Sequence, residues 1–125
     1  MTDAAFWGAT AVRSEGEGRY RATIGPQWML AMVPQGGVLA AIAARAMEAE
    51  LGTDQVLRSI HGVFASPVPA GEVEVIVDVV RRGRSMSQAS AVVRAPGADA
   101  GFHALAAFGH ERSGFTFTEL AFPAV

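Results

Sequence analysis

The stretch from Pro34 to Leu51, PQGGVLAAIAARAMEAEL, limits what this chain can fold into more than any other. Gly36 through Ala44 contain no polar side chain. Alanine and leucine favour helix, and a helix that is apolar all round belongs inside a protein. Arg45, Glu48 and Glu50 then give the last turns a polar side, and Gly52 stands where a C-terminal stop belongs. Pro34 breaks whatever comes before. The expected element is a helix enclosed on all sides over residues 38–44. Gly36 and Gly37 leave bare N–H groups at the positive end of its dipole, a place that favours an oxygen carrying negative charge.

At 125 residues and 13.0 kDa the chain has the size of one domain. Half of it is apolar, enough for a core, yet no apolar run reaches the roughly 18–20 residues that span a bilayer. Residues 1–7 lack the basic flank and long apolar run of a signal peptide. The expectation is therefore a cytoplasmic protein with no membrane partner. The absence of cysteine excludes disulfides, Cys-ligated zinc and a Cys nucleophile. A net charge of −2 with scattered signs argues against nucleic acid as the main partner. All ten basic residues are arginine, which reads as compositional bias rather than a device. His103 and His110 have no partners at metal-ligand spacing, so no metal is expected.

Residues 1–18 carry no clear pattern, although Phe6 and Trp7 are suited to anchoring a short N-terminal segment. Residues 19–24 alternate and read as a strand closed by Gly25-Pro26; residues 27–33 are an apolar lead-in to the helix. Residues 56–64 are rich in β-branched and aromatic side chains and precede Pro67 and Pro69, so they form a strand. Residues 72–81 give the cleanest alternation. Val73, Val75, Val77 and Val79 face one way, Glu72, Glu74 and Asp78 the other. Strands follow at 85–95 and 101–109, the last with Phe102, Ala104, Ala106 and Phe108 on one face. One long apolar helix with strands joined by tight turns predicts an α+β fold of five or six antiparallel strands curling around the helix. Residues 113–125, with alternating Phe115, Phe117 and Leu120, read as an extra edge strand or a linker.

Three groups of residues carry a resemblance to a known family. They are Pro34-Gln35-Gly36-Gly37 with the Ala-rich helix, Ser59-Ile60-His61-Gly62-Val63-Phe64-Ala65-Ser66-Pro67, and Arg81-Arg82-Gly83-Arg84-Ser85-Met86-Ser87 opening a strand. With the Ala/Phe-rich last strand ending at Gly109, the chain resembles the hotdog-fold acyl-CoA thioesterases, specifically the N-terminal half of the TesB-like, double-hotdog type. The resemblance implies a hotdog fold over residues 1–125. It also implies hydrolysis of acyl-CoA to free acid and CoA without a Ser-His-Asp triad, and no cofactor beyond the CoA of the substrate. The thioester carbonyl would be held by backbone N–H groups at the front of the helix. By the same match Ser59 stands where the family places a catalytic Asp, and Ala107 where it places a Gln. A lone hotdog domain has an open sheet edge, so a homodimer or higher oligomer through sheet edges is expected.

The candidate catalytic residues are Gln35, Gly36, Gly37, Ser59 and His61. Gln35, Gly36 and Gly37 would polarise the thioester oxygen; structurally, the glycines would only let a sheet approach while Gln35 caps the helix. Ser59 and His61 share a strand face by period-2 spacing, with Leu57 and Val63 on the same side. His61 would orient water or act as a base near neutral pH, or simply be a core-edge histidine. Val38, Arg82, Gly83, Arg84, Ser85 and Ser87 form the candidate substrate- and CoA-binding set, with the arginines able to neutralise phosphates or to sit on a solvated hairpin tip. Two rival functions remain: a catalytically silent half that completes a partner's acyl pocket, and a dehydratase or hydratase acting on acyl thioesters.

Overall fold

Alternating valines build the sheet. Along β6 (Gly71–Arg81), Val73, Val75 and Val77 are buried while Glu72 and Asp78 are exposed, so one face is dry and the other wet. β7 (Met86–Arg94) buries Ser87, Ala89, Ala91 and Val93, and β8 (Phe102–Gly109) buries Phe102, Ala104, Ala106 and Phe108. The computed structural model describes residues 3–125 and adds α1 (Asp3–Ala9), β1 (Arg13–Gly16), β2 (Arg19–Ile24), β3 (Met29–Leu30), β4 (Val33–Pro34), α2 (Gly36–Leu51) and β5 (Val56–Phe64). Six strands form one sheet in the order β1-β2-β6-β7-β8-β5, every pair antiparallel; β3 and β4 form a separate two-stranded ribbon. The α+β architecture expected from the sequence, one long helix against a curved antiparallel sheet, is the one found.

The helix α2 lies on the dry face. Val38, Leu39, Ile42, Ala43, Ala46, Met47 and Leu51 are buried against it. Ile42 and Met47 have no solvent contact, and burial of this kind is worth roughly 1.5–3 kcal/mol per side chain. The expectation of complete enclosure needs correction. Gly37 is exposed and Ala40, Ala41 and Ala44 are only half-buried, because one sheet covers one side of a helix and the opposite side is left to these small residues. Gly52 ends α2 in the left-handed conformation (φ 60°) and donates its N–H to the Glu48 carbonyl at 3.0 Å.

Contacts from β2 and α1 hold the helix at its last turn and its middle. The Tyr20 hydroxyl of β2 donates to Glu50 Oε2 at 2.7 Å. At the other side, α1 was not legible in the sequence. Its Phe6 ring meets Trp28 edge-on at 5.6 Å, and the Arg45 guanidinium of α2 lies 3.9 Å from the centre of the Trp7 ring while Nη1 donates to Thr10 Oγ1. Residues 113–125 form no strand and are exposed throughout, so they add nothing to the sheet edge. No helix among the described residues is long and apolar enough to cross a membrane.

A Cβ added at Gly52 meets only the Ala49 carbonyl, at 3.9 Å, so Gly52→Ala tests the left-handed conformation without a clash. Urea denaturation is expected to show a loss of about 1 kcal/mol; an unchanged midpoint contradicts the cap. Burial, together with the Glu50 carboxylate, raises the Tyr20 phenol from its ordinary 10.0 to about 12. The fold thus prefers the protonated phenol. Its contribution is complete below pH 10 and is lost as pH climbs through 12. Stability measured from pH 9 to 12 should fall less steeply at the top of that range in Tyr20→Phe than in the parent.

Candidate active site

The ribbon β3–β4 delivers the chain to the front of α2. The Gln35 amide donates to the Trp28 carbonyl at 2.8 Å and Val38 N–H to the Gln35 carbonyl at 3.0 Å. Between them, the amides of Gly36 and Gly37 meet no acceptor among the described residues. These are the helix-start donors that always lack an intrahelical partner, at the positive end of a 16-residue dipole. The Gln35 side chain does not cap the helix. It is exposed and lines a recess with Phe6, Gln27, Trp28, Met29 and Leu30.

A cavity of about 510 Å³ opens beside Gly36. Leu30, Val33 and Pro34 of the ribbon form one wall, Leu39 of the helix a second, and Phe64 with Ala65, Ser66, Pro67 and Val68 a third. Its size suits a small organic ligand, and its walls are almost wholly apolar. No Asp, Glu or His lines it among the described residues. The sequence pattern gave no warning of this cavity. Leu30 and Val33 read as lead-in and Phe64 as an ordinary strand residue; the two-residue turn at Ala31-Met32 that folds the ribbon over the helix front has no glycine, and Ala31 takes φ 43°.

The other candidate residues lie elsewhere. A bulge at Arg58 shifts the register of β5, so Leu57 pairs with Phe108 but Ser59 pairs with Ala107 and His61 with Leu105. The bulge therefore separates Leu57 from the face it was expected to share. Leu57 packs on the core, while Ser59, His61 and Val63 point away from the helix on the outer face of the sheet. There Ser59 and His61 border a shallow groove with Val80, Gln88, Leu105 and Ala107. Ser59 and Ala107 do sit side by side, as the family match pairs them, but on the side of the sheet opposite Gly36 and Gly37.

The β6–β7 turn lies at the far end of α2, about 24 Å from its front at 1.5 Å per residue. Here Arg82 donates to the carbonyls of Leu51 and Glu50, closing the negative end of the helix. Gly83 is required because a Cβ would lie 2.0 Å from the Met86 carbonyl oxygen. Ser87 is fully buried, its Oγ accepting from Gly83 N–H at 3.1 Å, and the buried Gln55 amide donates to the Gly83 and Arg84 carbonyls. Ser85 Oγ accepts from Arg112 at 2.8 Å. Arg84 is exposed. Arg82, Gly83 and Ser87 thus have structural work in this chain, and of the set only Val38 lies at the helix front, buried one residue behind Gly37. No cluster of three or more His, Asp or Glu able to hold a metal occurs among the described residues.

A family model described as acyl-CoA thioesterase N-terminal domain matches residues 24–109. The chain belongs to that family. Solved structures agree on the fold. A hot dog fold protein from Alicyclobacillus acidocaldarius superposes with a TM-score of 0.88 at 24% identity, over 100% of this chain and 46% of its own. The acyl-CoA thioesterase II TesB2 of Mycobacterium marinum gives 0.78 at 19% identity, over 96% of this chain and 43% of its own. A Bacillus halodurans protein solved with CoA gives 0.69 at 18% identity, over 78% and 70%. No curated protein sequence matches the chain. The fold is a hotdog, and the chain, which spans less than half the length of the first two structures, resembles the N-terminal half of the TesB-like type.

If Arg82 is a helix cap, Arg82→Ala should cost about 1 kcal/mol in thermal or urea unfolding, whereas Arg84→Ala should leave stability within about 0.5 kcal/mol of the parent. Equal effects of the two substitutions contradict the assignment.

Proposed function

We propose that this domain takes part in hydrolysis of acyl-CoA thioesters, with the Gly36 and Gly37 amides polarising the thioester carbonyl and the acyl group lying in the cavity beside them. The observation that carries the reading is the pair of unmet backbone donors at the helix start, with Gly36 lining an apolar cavity. Charge builds on the carbonyl oxygen as water attacks, and fixed N–H dipoles in a water-poor site stabilise that charge more than they stabilise the neutral substrate. Membership of the thioesterase family and the similarity to a protein solved with CoA support the substrate class.

A second reading is favoured by one observation. The cavity has no acid or base among the described residues, and Ser59 and His61 lie across the sheet from it. In that reading the domain binds the acyl group and polarises the carbonyl, while a second hotdog domain, paired along the open edge of β5, brings the side chains that orient water. The dehydratase alternative needs a histidine at the carbonyl, and His61 faces the other way.

Thiol release from a panel of acyl-CoAs, followed with DTNB, separates these. Gly37→Pro removes one donor in the first helical turn, where no intrahelical hydrogen bond is lost, and should lower turnover roughly 10²–10³-fold, with circular dichroism and urea unfolding of the variant read alongside. His61→Ala should stay within about twofold. Binding of acyl-CoA by the chain without any thiol release would instead establish the silent-half reading.

A further inference from the structure

We propose that Phe64 is a specificity-determining residue that restricts this site to acyl groups unbranched next to the thioester carbonyl; the proposal rests on the cavity beside Gly36 being the acyl site. Phe64 is the last residue of the edge strand β5 and keeps 64% of its surface exposed, unusual for an aromatic side chain that a fold is free to bury. Its position is nevertheless fixed by two neighbours. The ring lies 4.8 Å from the Phe102 ring, centre to centre, at a tilt of 43°. Its tip reaches the helix front so closely that a Cβ on Gly36 would stand 2.8 Å from Cζ.

Two glycines make this arrangement possible. Gly62 has no side chain where Phe102 leans under β5, and a Cβ there would lie 2.4 Å from the Phe102 ring. Gly36 has none where the Phe64 ring arrives. The ring therefore stands beside Gly36, the residue with the first of the two unmet amides, and lines the cavity there. A thioester oxygen hydrogen-bonded to the Gly36 amide brings the carbonyl carbon to the part of the helix front that the ring tip reaches. An acyl chain in the cavity then lies with Phe64 on one side and Leu30, Val33 and Leu39 on the others. A methylene chain is slim enough to pass. A methyl branch or an aryl group on the carbon next to the carbonyl meets the ring. The Phe102 ring and the helix front at Gly36 back the Phe64 ring on two sides, and one misplaced methyl in an apolar pocket discriminates by about 10–200-fold. The selection thus acts on shape near the carbonyl, where the ring stands, rather than on chain length.

The test uses the full chain and two non-hydrolysable ketone analogues, of hexanoyl-CoA and of 2-methylhexanoyl-CoA, with affinities read by calorimetry. The parent should bind the straight analogue at least tenfold more tightly. Phe64→Ala should bring the two within about threefold, mainly by improving the branched one, and Phe64→Leu should fall between. The leucine variant keeps an apolar side chain on the edge strand, so it decides the matter if the alanine variant fails to fold. A parent that binds both analogues equally, or a tenfold preference surviving in both variants, overturns the role of Phe64 while leaving the acyl site in place. Failure of the parent to bind either analogue removes the acyl site and this proposal with it.

Discussion

The packing of α2 on the valine and alanine face of the sheet is the constraint from which the other features follow. Val38, Ile42, Ala43, Ala46 and Met47 are in contact with the dry side of β6, β7 and β8, where Val73, Val75, Ala89, Ala91 and Phe108 have no more than 1% of their surface exposed. Alanines on both partners bring the helix close to the strands, and close-packed interiors allow little sliding once side chains interlock. That seat fixes the axis of the helix and hence the place where its dipole ends. The front meets the β3–β4 ribbon and Phe64, and the back is closed by Gly52, Arg82 and Tyr20.

The two ends of that helix differ in what they offer a ligand. The front has donors and an apolar wall; the back has Arg82, already engaged by the helix carbonyls. The unevenness fits a domain that works beside another. β5 is an edge strand, so its outer backbone groups have no strand partner within the sheet, and such an edge is a template for pairing. The cavity wall at Phe64 lies on this same edge. An added sheet there would stand beside the cavity wall at Phe64, while the side chains of Ser59 and His61 would stay on the outer face.

Much of this was legible in the sequence, for identifiable reasons. Residues 19–24 and 56–64 were bounded by turn residues and show the same limits as β2 and β5, and Gly52 ends α2 as a glycine in that place should. The valine alternation of 72–81 identified the dry face of β6 because period two survives until the bulge near Val80. Elsewhere local pattern gave the wrong side or nothing. The bulge at Arg58 leaves no mark in the residue types, yet it sends Leu57 and Ser59 to opposite faces. The turn at Arg82-Gly83-Arg84 shows as a turn, but not that a helix C-terminus lies beneath it, since that proximity is tertiary. The enclosure of 38–44 was overestimated because alanine is compatible with both a buried and a half-open helix side.

The central claim is that the amides of Gly36 and Gly37 meet the carbonyl of an acyl thioester. The most direct measurement is amide NMR of the ¹⁵N-labelled chain titrated with a non-hydrolysable ketone analogue of hexanoyl-CoA. The account predicts that the Gly36 and Gly37 amide protons move downfield, as hydrogen bonding to a carbonyl requires, together with smaller shifts at Leu39 and Val68 along the cavity. Saturable binding that leaves both glycine amides unmoved while shifting the outer face around His61 and Leu105 would contradict it.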